Sequence, residues 1–465
     1  MQERNKYLLK NIFSFVLGKM GPRLISFFLV PLYTYTLTTE EYGTIDLIAT
    51  LSTVLMPILV LNIGDAIMRF ALDHGTDHRK LMSIGLWILG AGTLLGLVLI
   101  PVAGLVPTIS AYGLALYGYV ISLAYMQVFC CYLRGCEKLN AYAIGNILHT
   151  ASLVGMNLLF LLVFQWGIRG YLLANILSNF LTAIYAAIVG RVDRVVKKFS
   201  LDFPLFGSMI RYSSLLIPSN LMWWIVQSSD RIMITYMVSA AANGIYAVSY
   251  KLPSILSTLS GIFNQAWLYS AIREKDSTDA TKYFNQMYDT VVRFLIIVTS
   301  GMLLLLKPFL SIYVAPEYYT AWRYTPYLLI GFMLLAIAGF LATFSTVHKD
   351  SKTIMQSSLC GAVTNIVLNF VTIPWLGVMG AAFSTCISYV MVFLFRIFYT
   401  NKHYVKINAF QFRHLIGYGV IVAMCLVLFY ESTLSWILLT VLFAVNLYLC
   451  KDIFVMVLKR IKKKV

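Results

Sequence analysis

The chain has 465 residues, of which 60% are hydrophobic and only 12% charged, against roughly 25% charged in an ordinary soluble domain. So much apolar side chain cannot be hidden in one water-soluble core, which excludes a soluble enzyme. Lys and Arg outnumber Asp and Glu by 36 to 19, a formal net charge of +17. The basic residues gather into no polar domain, however, so a nucleic-acid partner is not expected. An all-α polytopic membrane protein remains.

A membrane-spanning helix needs about 20 mostly apolar residues. In chain order, the hydropathy pattern predicts fourteen such segments: 8–37, 42–68, 81–106, 112–133, 140–165, 170–190, 208–238, 241–270, 290–314, 321–347, 353–374, 378–399, 412–430 and 433–456. Met1 to Lys10 is basic, but the first apolar segment is too long for a cleaved signal peptide. The connections are short and leave no room for a sizeable soluble domain. Most of the Lys and Arg fall at the termini and the even-numbered connections, from Arg4, Lys6 and Lys10 to Lys462, Lys463 and Lys464. Arg293 and Arg396 belong to that set. By the positive-inside rule both termini are cytoplasmic.

The seven cysteines show no C-x-x-C spacing, so they are expected to be buried small hydrophobes rather than metal or redox ligands. No zinc-protease, nucleophile-elbow or Walker A motif is present, so an enzyme is not expected.

The halves of the chain resemble each other. Gly167-Ile168-Arg169-Gly170 occupies a tight outer turn between spans 5 and 6, and Gly377-Val378-Met379-Gly380 the corresponding turn between spans 11 and 12. Asn157 precedes the first turn; Asn365 and Asn369 precede the second. Glu41-Tyr42-Gly43-Thr44 matches Ala242-Asn243-Gly244-Ile245, and Pro22 matches Pro218. Six spans return the chain to the side on which it began, so the repeats are parallel. The predicted organisation is a lobe at 1–190, a cytoplasmic linker at 191–207 lying on the inner leaflet, a second lobe at 208–400, and two extra spans with a basic tail at 401–465.

Four cations lie well inside spans: Lys19, Arg23, Arg231 and Lys251. Each costs at least ~2.5 kcal/mol to insert, so each should face a polar cavity or a partner. Lys19 and Arg23 share one helix face at i, i+4 and repel unless an anion sits before them. Arg231 either faces the cavity or pairs with a carboxylate such as Asp230. Lys251 follows Tyr246 and Tyr250, aromatics suited to sugar stacking. Among the embedded acids, Asp65 and Arg69 are spaced for a salt bridge or gate. Asp46, with Thr50 a turn below, is a candidate proton or Na⁺ site. Asp46, Asp65, Arg69 and Asp230 are thus the coupling or gating candidates. No metal site and no cofactor is indicated.

The stretches Leu9-Lys10-Asn11-Ile12-Phe13-Ser14, Gly18-Lys19, Val30-Pro31-Leu32-Tyr33-Thr34 and Glu41-Tyr42-Gly43-Thr44-Ile45-Asp46 resemble the start of Wzx-type polysaccharide flippases. These belong to the multidrug/oligosaccharidyl-lipid/polysaccharide superfamily. Pro218-Ser219-Asn220, Ser229-Asp230-Arg231, Gly244-Ile245-Tyr246 and Tyr250-Lys251-Leu252-Pro253 extend the resemblance into the second half. It implies two six-helix bundles forming a V around a cavity, in a bacterial or archaeal cytoplasmic membrane. It also implies an oligosaccharide on a polyprenyl diphosphate, moved from the inner to the outer leaflet, with membrane lipids and polysaccharide-assembly proteins as further partners. In the related lipid II flippases, cations on the first and eighth spans contact substrate, which points to Lys19, Arg23 and Lys251. Lysine at Lys19 and Lys251 lacks the bidentate fork of arginine. The competing expectations are a multidrug cation exporter, which would favour cavity carboxylates, and a membrane glycosyltransferase or polymerase, which would bring a large outer loop.

Overall fold

The computed structural model describes residues 27–73, 76–197, 199–430 and 432–452. The described residues are helical with short connections. The elements are α1 (Val30–Thr36), α2 (Thr39–Leu59), α3 (Ile63–Ala71), α4 (His78–Gly96), α5 (Leu99–Gly104), α6 (Gly113–Gly135), α7 (Leu139–Asn157), α8 (Gly167–Gly190) and α9 (Val192–Lys197). There follow α10 (Phe203–Met237), α11 (Ala240–Ser249), α12 (Lys251–Glu274), α13 (Ala280–Tyr313), α14 (Thr325–Val347), α15 (Ser351–Leu376), α16 (Val378–His403), α17 (Phe412–Leu428) and α18 (Thr433–Leu449).

Among the described residues, nine helical segments are long and apolar enough to cross a membrane, and α17 and α18 are shorter apolar helices. Most of the first predicted span lies outside the described residues. Predicted spans 7 and 8 are helical, as α10 and α11–α12, but carry many polar residues, including Asn220, Gln227, Ser254 and Asn264. Several predicted spans are broken. Leu61 and Asn62 take positive φ and part α2 from α3. The predicted span 140–165 ends in a π-helical turn, Leu158–Val163.

Two compact units share the chain. The first holds residues 1–231 and 239–244; the second holds 232–238 and 245–465. The first unit therefore contains most of the seventh predicted span.

In the first unit, α6 packs against α3, α5 and α8, and α7 against α8. The Val30–Thr34 motif forms α1, and its Tyr33 ring packs on Tyr42 (6.2 Å between centroids) and Tyr171 (5.1 Å). In the second unit, α14 packs against α12 and α16, and α15 against α16. Trp267 stacks on Phe340 at 4.7 Å in its core.

The repeat is visible in the backbone. Gly167 and Gly377 both turn with positive φ, 55° and 58°, a region that glycine enters without strain. Three residues on, Gly170 and Gly380 lie against the helix that precedes the turn. A Cβ on Gly170 would stand 3.2 Å from the Phe160 carbonyl oxygen, and one on Gly380 2.4 Å from that of Thr372.

The two extra helices are fixed to α13 by polar contacts. Asn446 Nδ2 donates to Ser300 Oγ at 2.7 Å. His414, fully buried, pairs with Asp289 at 2.9 Å. Asp289 also pairs with Arg293, and Arg293 and Arg413 both reach Asp452, at 3.4 and 3.3 Å.

Replacing Gly380 by Ala drives a methyl group into backbone, an overpacking cost of about 1–3 kcal/mol. A clearly lowered thermal midpoint of the detergent-solubilised protein is expected. Gly419→Ala, where nothing lies within 4 Å, is the control and should leave the midpoint unchanged or raise it.

Candidate functional site

The site grows from two helix starts. Thr38 caps α2: its hydroxyl accepts from the Glu41 amide at 3.3 Å, and Glu41 Oε2 accepts from the Thr38 amide at 2.9 Å. This capping box satisfies free amides at the helix start. Ser239 begins α11 in the same way, accepting from the Ala242 amide at 3.1 Å. The two starts meet, within the first unit, at Gly43 and Gly244. A Cβ on Gly43 would lie 1.8 Å from the Ala240 carbonyl oxygen; one on Gly244 would lie 2.0 Å from that of Thr39. Only glycine at both places permits this crossing.

The crossing brings Asp46, one turn along α2, to its partners. Arg231 Nη1 donates to Asp46 Oδ1 at 2.6 Å, with side chains 20% and 11% exposed. Asn243 Nδ2 donates to the Gly43 carbonyl at 3.0 Å and to Asp46 Oδ2 at 3.4 Å. Trp224 Nε1, two turns before Arg231, donates to Thr53 Oγ1 at 3.1 Å and to the Thr50 carbonyl at 3.2 Å. As α10 descends in number α2 ascends, so the two helices run antiparallel along a seam of three polar contacts. Asp230 is fully buried, and its Oδ1 accepts from the Arg231 amide at 3.0 Å. Arg231 thus bonds Asp230 through its backbone and Asp46 through its side chain.

Lys251 lies half-buried in the second unit, at the break between α11 and α12. Pro253 causes the break, since proline has no amide to give the Ser249 carbonyl. Thr325 Oγ1 lies 3.4 Å from that carbonyl, with the Ala321 carbonyl closer to the same hydroxyl at 2.9 Å. The next residue, Leu252, opens an apolar groove of about 490 Å³ lined also by Val298, Gly301, Met302, Leu305 and Pro308. Tyr246 and Tyr250 do not present faces to a sugar. They are 0% and 6% exposed, because Tyr250 packs edge-on against both Tyr246 and Phe332.

Asp65 and Arg69 are not joined to each other. The break at Leu61–Asn62 puts Asp65 in the first turn of α3, where it accepts from Asn62 Nδ2 at 2.8 Å. Arg69 pairs with Asp73 at 2.5 Å instead, both half exposed. Lys19 and Arg23 lie outside the described residues. Sequence reasoning missed Asn243, whose role needs the crossing, and a buried polar chain in the second unit. There Asn369 Nδ2 donates to Asn365 Oδ1 at 3.0 Å, and Asn365 Nδ2 to Thr385 Oγ1 at 3.3 Å. Among the described residues no group of three His, Cys, Asp or Glu has metal-ligand geometry.

The profile of a family described as polysaccharide biosynthesis protein matches residues 8–269. The chain belongs to that family. The structure of the lipid II flippase MurJ in an inward closed conformation is similar to it, with a TM-score of 0.69 and 12% identity over 96% of this chain and 98% of that one. An inward-facing multidrug resistance MATE transporter of the MOP superfamily follows, with a TM-score of 0.64 and 11% identity over 88% and 95%. A MOP superfamily transporter from Pyrococcus furiosus, whose binding pocket is described as of reverse polarity, gives a TM-score of 0.57 at 12% identity over 89% and 95%. At such identities the likeness is one of fold. The probable multidrug resistance protein YpnP of Bacillus subtilis (strain 168) is 27% identical over 203 residues. That stretch covers 42% of this chain and 45% of YpnP, so the chain spans under half the length of that relative. The protein is a multi-pass membrane protein of this family, with nine long apolar helical segments among the described residues and a fold shared with a flippase and with MATE transporters.

A double-mutant cycle measures the Asp46–Arg231 coupling. Asp46→Asn and Arg231→Gln should each lower the thermal midpoint. The double variant should lose little more than either single one, a coupling of about 1–3 kcal/mol. Strictly additive losses would mean that the two do not interact.

Proposed function

We propose that this protein is a flippase for a polyprenyl-diphosphate-linked oligosaccharide, such as an O-antigen, capsule or exopolysaccharide repeat unit. It carries this substrate from the inner to the outer leaflet of the cytoplasmic membrane by alternating access. Both termini face the cytoplasm, and the repeats at 1–190 and 208–400 are the moving lobes. Lys19, Arg23, Arg231 and Lys251 supply the cations that bind the diphosphate.

The observation that supports this reading is an apolar groove lined by Leu252, the residue after the half-buried Lys251. A cation next in the chain to an apolar groove suits a substrate that joins a diphosphate to an isoprenoid. The family match supports the polysaccharide side of the substrate. The lysine acts as a point charge and the arginines as planar forks.

Arg231 has a second task in this scheme. Its guanidinium is held by Asp46 near the outer end of span 2. A diphosphate competes with one carboxylate for the same donors and carries more charge, so substrate loosens the α2–α10 seam as it binds. Asn243, which holds both Gly43 and Asp46, ties that loosening to the glycine crossing. Direction follows from charge. Two negative charges leaving a negative interior gain roughly 4–5 kcal/mol per 100 mV.

A multidrug exporter is the second reading, favoured by the resemblance to YpnP. A flipping assay in proteoliposomes with a defined polyprenyl-diphosphate oligosaccharide separates the two. Wild type should flip it, while Lys251→Ala and Arg23→Ala lose roughly 10–100-fold, the worth of one charge-assisted hydrogen bond, at equal protein levels. Normal flipping by both variants would overturn the site. Efflux of cationic drugs by a chain that flips no lipid-linked sugar would overturn the function.

A further inference from the structure

Arg396 lies in the body of α16, 5% exposed. Its Nε donates to Ser357 Oγ on α15 at 2.9 Å, and its Nη1 to the Ala338 carbonyl on α14 at 3.0 Å. A guanidinium has five N–H donors. These bonds use two, and Nη2 has no partner among the described residues.

The missing element is charge as well as hydrogen bonds. Both acceptors are neutral. The helices around Arg396, α14, α15 and α16, contain no Asp or Glu. Their charged and titratable side chains besides Arg396 are Lys352, Lys402 and His403, with Tyr327, Tyr389, Tyr399, Cys360 and Cys386, and none is a carboxylate. The carboxylate that caps α15, Asp350, is committed elsewhere: it accepts from the Thr353 amide and hydroxyl and from the hydroxyls of Tyr399 and Tyr404. No carboxylate lies within 4.0 Å of Arg396 among the described residues. An isolated buried ion costs several kcal/mol even after relaxation, and an ordered water would fill a donor without cancelling the charge.

We propose that the α14–α15–α16 junction is a binding site for a small inorganic anion of halide size, held against Nη2 of Arg396. The low exposure of the arginine disfavours a lipid headgroup. The close approach of α15 and α16 disfavours a phosphate: a Cβ on Gly361 would stand 2.5 Å from Val392 Cγ2. The anion neutralises a cation that already bonds the three helices together, so its role is to hold the second unit as one body. The site is separate from Lys251 and from Asp46.

The test uses the full chain in detergent. The thermal midpoint should rise with chloride or bromide and level off, when compared with gluconate at equal ionic strength. In Arg396→Gln the halide response should vanish. Crystals of the wild type grown in bromide should give an anomalous peak beside Nη2. A midpoint indifferent to halide, an equal response in Arg396→Gln, or ordinary water density beside Nη2 with no bromide peak would overturn the site. If Arg396→Gln does not fold, the bromide peak in the wild type decides alone.

Discussion

A charge in hydrocarbon must be neutralised nearby, and that constraint accounts for where the buried ions of this chain stand. Each has met it differently. Arg231 reaches across to Asp46 on another helix. Arg293 sits among Asp289, Asp452 and His414, and in doing so fastens the last two helices to α13. Lys251 is half-buried at a helix break, and Leu252 after it lines an apolar groove. Arg396 is enclosed by three helices without an acid among them. The polar seams of the molecule are therefore where its helices are held in register. Among purely apolar surfaces in lipid no comparable directional force exists, since lipid tails are as apolar as leucine.

Glycine makes the first of these pairings geometrically available. Gly43 and Gly244 let two helix starts touch backbone to backbone, and only then does Asn243 reach the Gly43 carbonyl and Asp46. The two starts are equivalent positions of an internal repeat, each capped by a hydroxyl, Thr38 and Ser239. Their charges are not equivalent. In the register that pairs Gly43 with Gly244, Asp46 corresponds to Ala247, which is fully buried. The close approach at the two glycines accounts for the crossing, and the ion pair is laid across it.

The fold class was legible because hydropathy is additive along a chain: twenty apolar residues announce a span whatever they touch. The repeat was legible for a related reason, since turn glycines such as Gly167 and Gly377 are fixed by local backbone geometry. What periodicity could not supply was pairing over long sequence distance. Arg231 stands one residue from Asp230, yet its side chain meets Asp46, 185 residues away. Asp65 and Arg69 have salt-bridge spacing, but the left-handed residues at Leu61 and Asn62 start a new helix there, and helix-start chemistry claims Asp65. Arg293 and Arg396 are counted by the positive-inside rule with the cytoplasmic set, a count that is blind to burial. Spans 7 and 8 show the converse: their polar residues weaken the hydropathy signal for the reason that makes them informative.

The parting of Arg231 from Arg396 has a mechanistic consequence. Arg231 is half-buried and Arg396 buried, and among the described residues only Arg231 of the two has a carboxylate partner. An ion pair between two protein groups can be exchanged: a stronger anion displaces the carboxylate, and the helices that carried the pair are released from each other. Arg396, 5% exposed among three helices and with no carboxylate partner among the described residues, has no protein anion there to exchange. A transporter needs both kinds of contact, one that yields when substrate arrives and one that does not yield while it moves. The Asp46–Arg231 seam has the chemistry of the first, and the α14–α15–α16 junction that of the second.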